Sequence, residues 1–298
     1  MAAIYQKSFM EKAEDTFLYI FLSIAAFTAV YPFIHLLVLS LNDSIDAQRG
    51  GLYFWPRVFT LANYEYVFTN ESLLRASFNS VARTVIQTVV SIFCTGMIAY
   101  CLSRREFVFR RSFSFLLIVT MYVSGGLIPA YLLIKGLGLM NTFAVYIVPG
   151  LISAYHVLIM RTFFEQLPDG LVESAYMDGA NDFSIFLRII MPISLPVIAC
   201  IALFVAVGEW NAWFDNFLYN SRNKKLTVLQ YELQKMVNAV QQGGGENDPL
   251  EGGEMERVIT PYTVKATLTI IVTVPILLVY PFLQKYFVKG LTLGAMKD

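Results

Sequence analysis

The chain is poor in charged residues and in metal-binding side chains. Lys, Arg, Asp and Glu make up 15% of its 298 residues, whereas roughly 25% is typical of a soluble domain. The 22 basic and 22 acidic residues cancel, so no basic field indicates nucleic acid as a partner. With two histidines and three cysteines, the chain has no CxxC or Cys/His cluster and predicts no metal site. The hydrophobic share of 56% is typical of a chain solvated by lipid.

Six hydrophobic stretches are long enough, or nearly so, to cross the roughly 30 Å hydrocarbon core of a bilayer as helices. They are Phe17–Leu41, Thr84–Leu102, Phe113–Ile134, Phe143–Phe164, Ile193–Trp213 and Val264–Leu283. The first is longer than a signal-peptide core, and we expect it to be retained. We therefore predict an all-α integral membrane protein with one domain over residues 1–298. Cys94, Cys101 and Cys200 fall inside these stretches and are interpreted as small core residues.

Lys and Arg are unevenly distributed between the short loops. Four arginines crowd residues 103–112, whereas the next loop, residues 135–142, contains one lysine. Because short cytoplasmic loops are enriched in positive residues, the 103–112 loop is predicted to be cytoplasmic. With six spans, both termini and the loop at residues 165–192 are then cytoplasmic as well.

Two segments on the predicted outer side are sizeable. Residues 42–79 include LYFWPRVFTLANYEYVF, whose aromatic residues fit either a membrane interface or a protein partner. Residues 208–261 open with EWNAWFDNFLYN and continue with apolar residues at steps of three and four over 226–240, which predicts an amphipathic helix. The glycine-rich residues 241–253 predict a mobile link.

The 165–192 loop combines acidic residues with a regular apolar stripe. Pro168-Asp169-Gly170 is a helix-start signal with Asp169 as the expected cap. A first helix over 171–177 would carry Glu173 in its first turn, where the helix dipole favours an anion. Asp178-Gly179-Ala180 would end it, because glycine adopts a left-handed backbone at little steric cost.

A second short helix is predicted to begin at Asn181 or Asp182. Apolar residues follow at helical spacing as far as Met191-Pro192: Phe183, Phe186, Leu187 and Ile190. Such a small unit cannot bury its own apolar face. Either the stripe packs against the ends of the chain's own spans or on headgroups, or it fits a groove on a soluble partner whose basic residues meet the acids. The excess of acids over Arg188 disfavours an anionic lipid surface and favours the partner.

These residues resemble the coupling motif of bacterial binding-protein-dependent ABC importer permeases. The motif E-S-A-x-x-D-G-A followed by I-I-M-P departs from the family pattern at Ser174 and Met191. The W-N-x-W sequence at residues 210–213 and the tail G-L-T-L-G-A-M-K are similar to the carbohydrate branch, the maltose-type second permease. SGGLIPAYLLIKGLGLMNT and EWNAWFD resemble its oligosaccharide and polysaccharide sub-branch. The resemblance implies a type I ABC importer permease fold with six transmembrane helices and a cytoplasmic coupling helix.

The resemblance also implies partners and residue roles. The partners are a homodimeric cytoplasmic ATPase that binds ATP and Mg, a second homologous permease, an extracytoplasmic solute-binding protein, an oligosaccharide and the lipid of the bacterial inner membrane. This chain itself would bind no cofactor. At the coupling loop, Glu173 would make the charged contact with the ATPase, and Asp178 would either meet the ATPase or cap the second helix. Close approach would be allowed by Ser174, Ala175, Gly179 and Ala180, and the second helix would be packed by Phe183, Phe186 and Ile190. Asp182 belongs to the same coupling set, and the tail at Gly294 and Lys297 is a second candidate contact.

Aromatic and amide residues are candidates for the path of the sugar. They are Trp210, Asn211, Trp213, Phe214, Asn216 and His156. Flat rings can stack on pyranose faces, but the same aromatics fit an interfacial belt, and His156 also fits a packing role. An acidic, alginate-type cargo could be attracted by basic residues at the outer mouth such as Arg83, Arg222 or Lys225.

Three other functions are weighed. A membrane enzyme would need a clustered nucleophile or a metal set, and the sequence offers neither. GxxxxGK[ST] does not occur in the chain, so ATP chemistry must come from another chain and we predict a subunit with no catalysis of its own. An ABC permease for a non-sugar solute is the first alternative, and the D-G-A and W-N-x-W sequences argue against it. An ion-driven carrier is the second, but its spans would need an ionisable relay beyond His35 and His156.

Overall fold

The structure is a computed structural model that describes residues 9–241 and 259–295, with the backbone alone described for residue 280 and for 282–295. Within these ranges the chain is helical, and its single β interaction is a bridge between Asn42 and Phe59. The all-α prediction is confirmed. The helices are α1 (Phe9–Ser40), α2 (Ser44–Ala47), α3 (Ala62–Thr69), α4 (Glu71–Ser103), α5 (Arg110–Tyr122), α6 (Leu127–Gly136), α7 (Ala154–Phe164), α8 (Gly170–Met177), α9 (Asp182–Ile185), α10 (Met191–Ile193), α11 (Leu195–Asn211), α12 (Phe214–Tyr219), α13 (Leu229–Gln241) and α14 (Pro261–Ala295).

Three of the described helices are long and apolar enough to cross a membrane as they stand: α1, α4 and α14. Two further pairs of consecutive helices, each with a sharp bend between its members, are long and apolar enough if each pair is counted as one span. These are α5 with α6, bent by 118°, and Asp182–Ile193 with α11, bent by 84°. By length and composition the described chain therefore offers three to five candidate spans.

Two of the predicted stretches are interrupted and do not form continuous helices. Phe113–Ile134 is interrupted between α5 and α6, where Gly126 has a φ of 86° that ends regular helix. Phe143–Phe164 consists of a 3-10 turn at its start and the 11-residue α7 at its end. Pro149 lies between them, and proline both removes a backbone donor and disfavours helix at the preceding residue.

The described residues form two compact units. The first unit contains residues up to Thr69 together with Met236–Ile271. The end of α1 packs there against the following loop and the start of α14, with a small core of Val38, Leu39, Ala47, Leu52 and Ala266. Buried polar contacts join the same parts: Ser44 Oγ lies 2.6 Å from Thr263 Oγ1 and 3.0 Å from Asn63 Oδ1. The most apolar window of α1 is not buried at all within the chain.

The second unit, residues Asn70–Lys235 and the chain from Val272, is built around α4. Helices α7 and α11 pack along α4. Its core includes Ala99, Tyr100, Leu102, Val157, Met160, Phe164, Ile185, Phe186, Ile190, Val197, Ile201 and Val205. Of the three free cysteines, Cys94 and Cys200 are half-buried and Cys101 is exposed, so the interpretation of all three as core residues is wrong for Cys101.

Candidate functional site

The 165–192 loop folds as the predicted pair of short helices. Helix α8 ends at a left-handed glycine, Gly179, with a φ of 80°. The Gly179 N–H donates to the Tyr176 carbonyl at 2.9 Å, and the Ala180 N–H donates to the Ala175 carbonyl at 3.0 Å. These two bonds form a Schellman motif, which satisfies carbonyls that the helix end would leave without partners. The turn therefore fixes the angle between the two helices.

Asn181, and not Asp169, supplies the observed capping bond. The Asn181 Oδ1 accepts the Ser184 N–H at 2.9 Å and begins α9. Asp169 has a helical backbone and makes no side-chain capping bond, so the expected cap at Asp169 is wrong. From Phe186 the second helix continues as a π-helical turn to Ile190 and then as α10.

The acidic side chains of the helix pair differ in what they contact. Glu173 and Asp178 are exposed and form no ion pair with another described residue. Asp182 accepts a hydrogen bond from the Tyr176 hydroxyl, which links the two helices. This bond, with a smaller effect of burial, raises the pKa of Tyr176 to about 12. Tyr176 therefore remains a donor at any physiological pH.

The apolar stripe anchors the pair to its own bundle. Phe186 and Ile190 are buried in the core of the second unit, and the Phe186 ring centroid lies 5.7 Å from that of Tyr100. Ala175 is buried as well. In this conformation these three side chains have almost no accessible surface, so they hold the helix pair against the bundle and do not meet a partner directly. Phe183 is 55% exposed and remains available.

The other predicted coupling residues lie at the surface of the turn. Ser174, Gly179 and Asp182 are exposed, and Ala180 is half-buried. The Ser174 hydroxyl donates to the Gly170 carbonyl at 2.7 Å, within its own helix. The small side chains of Ser174, Gly179 and Ala180 leave the backbone open to close approach.

A cavity of about 1030 Å³ adjoins the helix pair. Its wall includes aromatic rings of Tyr100, Phe107, Phe164, Tyr176, Phe183 and Phe186. Its charged lining residues are Arg104, Arg105, Arg110, Glu106, Glu165, Asp169, Glu173 and Asp182. Five acidic residues against three basic ones make the cavity net negative, so it favours a cationic group.

Glu165 connects the start of the loop to two helices. Its carboxylate accepts hydrogen bonds from Arg110, at the start of α5, and from Arg161 Nε of α7 at 2.9 Å. Arg161 Nη1 also donates to Ser114 Oγ at 2.6 Å. Burial alone would raise the pKa of Glu165, but the two arginines together lower it below the ordinary value. The carboxylate is therefore charged at neutral pH and ties α5 to α7.

A charge triad of Arg83, Glu209 and Asp215 lies at the other end of the second unit. Arg83 Nη2 donates at 2.6 Å to Glu209 Oε2 and at 2.6 Å to Asp215 Oδ2. The guanidinium lies 4.5 Å from the centre of the Tyr146 ring, and the Arg83 side chain is only 2% exposed. Arg83 therefore cannot attract an acidic cargo from solution, and that prediction is wrong.

Sequence reasoning missed this triad. The available signal was that charged residues inside membrane spans usually pair with one another. Arg83 directly precedes the predicted Thr84–Leu102 stretch, Glu209 lies inside the Ile193–Trp213 stretch, and Glu209 and Asp215 flank the same short aromatic segment.

The predicted path residues are partly engaged within the chain. Trp210 Nε1 donates to the Val272 carbonyl at 2.9 Å. Asn216 is fully buried, and its Oδ1 accepts the Val228 N–H at 2.8 Å, so it cannot bind a sugar in this conformation. Asn211 and Phe214 are exposed, and Trp213 is half-buried.

His156 and the tail complete the predicted positions. The His156 ring stacks on Phe204 at 6.2 Å between centroids, and its buried Nδ1 has no hydrogen-bond partner within residues 9–241 and 259–281. Gly294 lies in α14, where only the backbone is described, and Lys297 lies outside the described residues.

Residues 92–293 match the family model of the binding-protein-dependent transport system inner membrane component. The chain belongs to this permease family. The permease is 38% identical over 283 residues to the polygalacturonan/rhamnogalacturonan transport system permease protein YtcP of Bacillus subtilis (strain 168), covering 95% of this chain and 98% of that protein. It is 37% identical to Protein LplC of the same organism, covering 90% of this chain and 89% of that protein.

A solved structure shares the fold of the permease. It is a chain from a bacterial ABC transporter involved in the import of the acidic polysaccharide alginate, with a TM-score of 0.84 and 26% sequence identity. The match covers 95% of this chain and 99% of that chain. The type I permease fold and the carbohydrate branch inferred from the sequence are thereby confirmed.

Proposed function

We propose that this permease moves acidic oligosaccharides across the bacterial inner membrane as one of two homologous permease subunits of an ATP-driven importer. The observation that carries the proposal is the helix pair at residues 170–193. It is fixed to the bundle by buried side chains, and on its exposed side it presents Glu173 and Asp178, which pair with no other residue in the described part of the chain. Such a unit can transmit force from a separate protein into the membrane domain.

The coupling step follows from the rigidity of the pair. An ATPase that binds Glu173 and Phe183 would move α8 and α9 together, because the Gly179 turn and the Tyr176–Asp182 bond hold them at a fixed angle. Phe186 and Ile190 would transfer that displacement to the core around α4. Differential affinity of the ATPase for the two states of the bundle then shifts the bundle between inward-open and outward-open forms.

The partners and the orientation are part of the same proposal. A homodimeric cytoplasmic ATPase would bind ATP and Mg and dock at the helix pair, and a binding protein would deliver the cargo on the opposite side. The arginine-rich 103–112 loop supports an orientation with both termini in the cytoplasm. The net negative cavity beside α8 supports a cationic contact from the ATPase.

The acidic nature of the cargo is supported by relatives and by surface charge. YtcP is named for polygalacturonan and rhamnogalacturonan, and the similar solved transporter imports alginate. In this permease Arg222, Lys224 and Lys225 are exposed, on the side opposite the helix pair in the proposed orientation. These three cations, unlike Arg83, are free to raise the local concentration of a polyanion.

Charge reversal at Glu173 tests the coupling role. Glu173→Lys should weaken co-purification of the ATPase with the permease roughly tenfold or more, because like charges at a docking surface cost several kcal/mol. Uptake should fall in parallel while the amount of permease in the membrane stays the same. Glu65→Lys, at an exposed acid of α3, is the matched control and should change neither. Full ATPase retention and uptake by Glu173→Lys would exclude the docking role.

The cargo is tested by a separate measurement. Reconstituted importer with its binding protein should hydrolyse ATP faster with oligogalacturonates or alginate oligosaccharides than with neutral oligosaccharides of equal length. Replacing Lys224 and Lys225 by Gln should reduce the stimulation by acidic sugars and leave that by neutral sugars unchanged. Equal stimulation by both classes of sugar would be consistent with the permease role but would contradict the proposal that the cargo is acidic.

A further inference from the structure

The first unit contains a closed loop, residues 43–58, that follows α1. Its two ends are joined by a hydrogen bond from the Asp43 N–H to the Val58 carbonyl at 2.9 Å and by the Asn42–Phe59 bridge. A loop of this length with adjoining ends is an Ω-loop, which is usually packed by its own side chains. We call it the aromatic loop, because its tip is Tyr53-Phe54-Trp55.

Polar contacts hold the aromatic loop in shape. Arg57 Nε donates to Asp46 Oδ2 at 3.0 Å, and Arg57 Nη2 donates to the carbonyls of Asp46 at 3.0 Å and Gly50 at 2.8 Å. Asn42 Nδ2 donates to the same Asp46 Oδ2 at 3.0 Å. The guanidinium thus satisfies backbone carbonyls inside the loop, and the tip is presented on a rigid frame.

The tip combines one buried anchor with exposed aromatic rings. Leu52 is buried in the small core at the end of α1. Immediately after it, Tyr53 is 63% exposed and Trp55 is 83% exposed. A rigid loop that exposes large aromatic side chains next to each other forms a surface for a partner.

The tip lies beside α1 and not beyond its end. The Phe54 ring centroid is 5.5 Å from that of Tyr31, and Tyr31 precedes the helix end at Ser40 by nine residues, roughly 14 Å of helix. The aromatic loop therefore folds back along the membrane helix from which it emerges.

The depth of the tip in a bilayer can be inferred from the charged residues on either side of the apolar part of α1. No Asp, Glu, Lys or Arg occurs between Asp15 and Asp43. About 20 residues cross the hydrocarbon core, fewer than the 25 of the predicted Phe17–Leu41 stretch, and counting from Asp15 these 20 residues end at His35. Tyr31 is one helical turn inside that boundary, so the rings of the tip reach the boundary between headgroups and hydrocarbon.

We propose that Tyr53, Phe54 and Trp55 insert into the interfacial region of the lipid bilayer and anchor the aromatic loop there. Trp and Tyr are the side chains that favour this region. The backbone of the tip lies outside helix and strand, which excludes deep hydrocarbon and fits headgroup depth, where water satisfies its polar groups. The lipid-facing surface of α1 continues directly into this tip. The inference requires only that α1 crosses the membrane and is independent of cargo and ATPase.

Spin labels on the assembled importer in liposomes distinguish lipid from water and from protein. In a background with the three cysteines replaced by alanine, Trp55→Cys carries a nitroxide, and its collisions with oxygen and with a water-soluble nickel chelate are measured. Arg222→Cys, at an exposed site of the second unit, is the water reference. Ile20→Cys and Leu22→Cys, both exposed and on opposite faces of α1, are the membrane references.

The expected result is a ratio of oxygen to nickel collisions at position 55 several-fold above that at position 222 and below that of the more lipid-exposed α1 site. A ratio equal to that at position 222 would place the tip in water. Low collision rates with both reagents would show that a protein, either the second permease or the binding protein, covers the tip. Either of these outcomes overturns the proposal.

A second measurement leaves Trp55 in place. Brominated phosphatidylcholine should quench the fluorescence of the wild-type importer by more than that of Trp55→Phe, and bromines near the headgroup should quench more than bromines near the chain end. Identical quenching of the two proteins would overturn the proposal even if the labelled variant is perturbed.

Discussion

Two groups of charged side chains in the second unit differ in burial and in ion pairing. In the charge triad, Arg83 is almost completely buried and is bound by both Glu209 and Asp215. On the helix pair, Glu173 and Asp178 are exposed and have no ion-pair partner among the described residues. Both groups lie in a chain whose membrane environment makes charge expensive.

The difference separates the charges that stabilise the chain itself from those that can bind another molecule. A buried charge must be paired within the protein, because leaving it unpaired has a high desolvation cost. An exposed charge on the rigid helix pair has no such requirement and is available to a partner. Changes in the triad should therefore affect stability, whereas changes on the helix pair should affect coupling.

The largest effect is expected from breaking the triad. Arg83→Leu leaves Glu209 and Asp215 facing each other without a cation, and should lower the free energy of unfolding by about 3–5 kcal/mol. This loss of stability can be measured by thermal unfolding of the purified permease in detergent. Arg75→Leu on the same helix removes an exposed pair with Glu71 and should cost less than about 1 kcal/mol. Equal losses from both variants would contradict the structural role of the triad.

A smaller effect is expected from changing the shape of the helix pair without changing its charge. Gly179 has a left-handed backbone, and a Cβ added there meets no other atom within 4 Å. Gly179→Ala should therefore cost only about 1–2 kcal/mol of backbone strain, confined to the turn. Faster amide hydrogen exchange over residues 176–182 and reduced uptake are expected.

Two variants control for Gly179→Ala. Gly170→Ala, at a glycine without a left-handed backbone, should have no effect on exchange in the turn. Gly179→Asn should be milder than Gly179→Ala, because asparagine tolerates the left-handed conformation better. The reverse order would mean that the turn is not held by its backbone geometry.

The smallest effect is expected at Glu165, which is intermediate between the two groups. Its carboxylate is paired but 32% exposed, so Glu165→Gln should cost about 1 kcal/mol or less at neutral pH. Because pairing lowers the pKa of Glu165 below its ordinary 4.5, the stabilisation is complete above that pH and is lost as the pH falls through the lowered pKa.

Unfolding curves of the wild type and Glu165→Gln should therefore converge in acid. Added salt should narrow the difference as well, since screening weakens a partly exposed pair. Glu106→Gln, at an exposed acid of the 103–112 loop, should show no such convergence. If the difference in free energy of unfolding between the two proteins did not change with pH, it would not arise from the charge of Glu165.

The helix pair was the part of the site that sequence reasoning described best. Its two helices, the break at Gly179 and the start at Asn181 depend on local signals within a few residues. Sequence reasoning could not separate the side chains that would meet a partner from those that anchor the pair. Phe183 and Phe186 belong to the same apolar stripe, yet one is exposed and the other is buried, because only Phe186 reaches Tyr100 on a distant helix.

The aromatic segment after α11 was described less well. Asn216 is indistinguishable in sequence from a sugar-binding amide, but its side chain caps the buried Val228 N–H. Trp210 likewise uses its indole N–H on the Val272 carbonyl. Both partners are distant in sequence, so no local pattern could reveal them.

By itself the sequence determined that the chain is helical, belongs in a membrane and carries a pair of short helices at residues 170–193, because composition, hydrophobic length and turn chemistry act over short distances. Only the tertiary structure decided where helices break, which charges are paired and which aromatic rings remain exposed. Those properties depend on which segments distant in sequence come into contact. A buried polar or charged group is stable only where such a contact provides a hydrogen-bond or ion-pair partner.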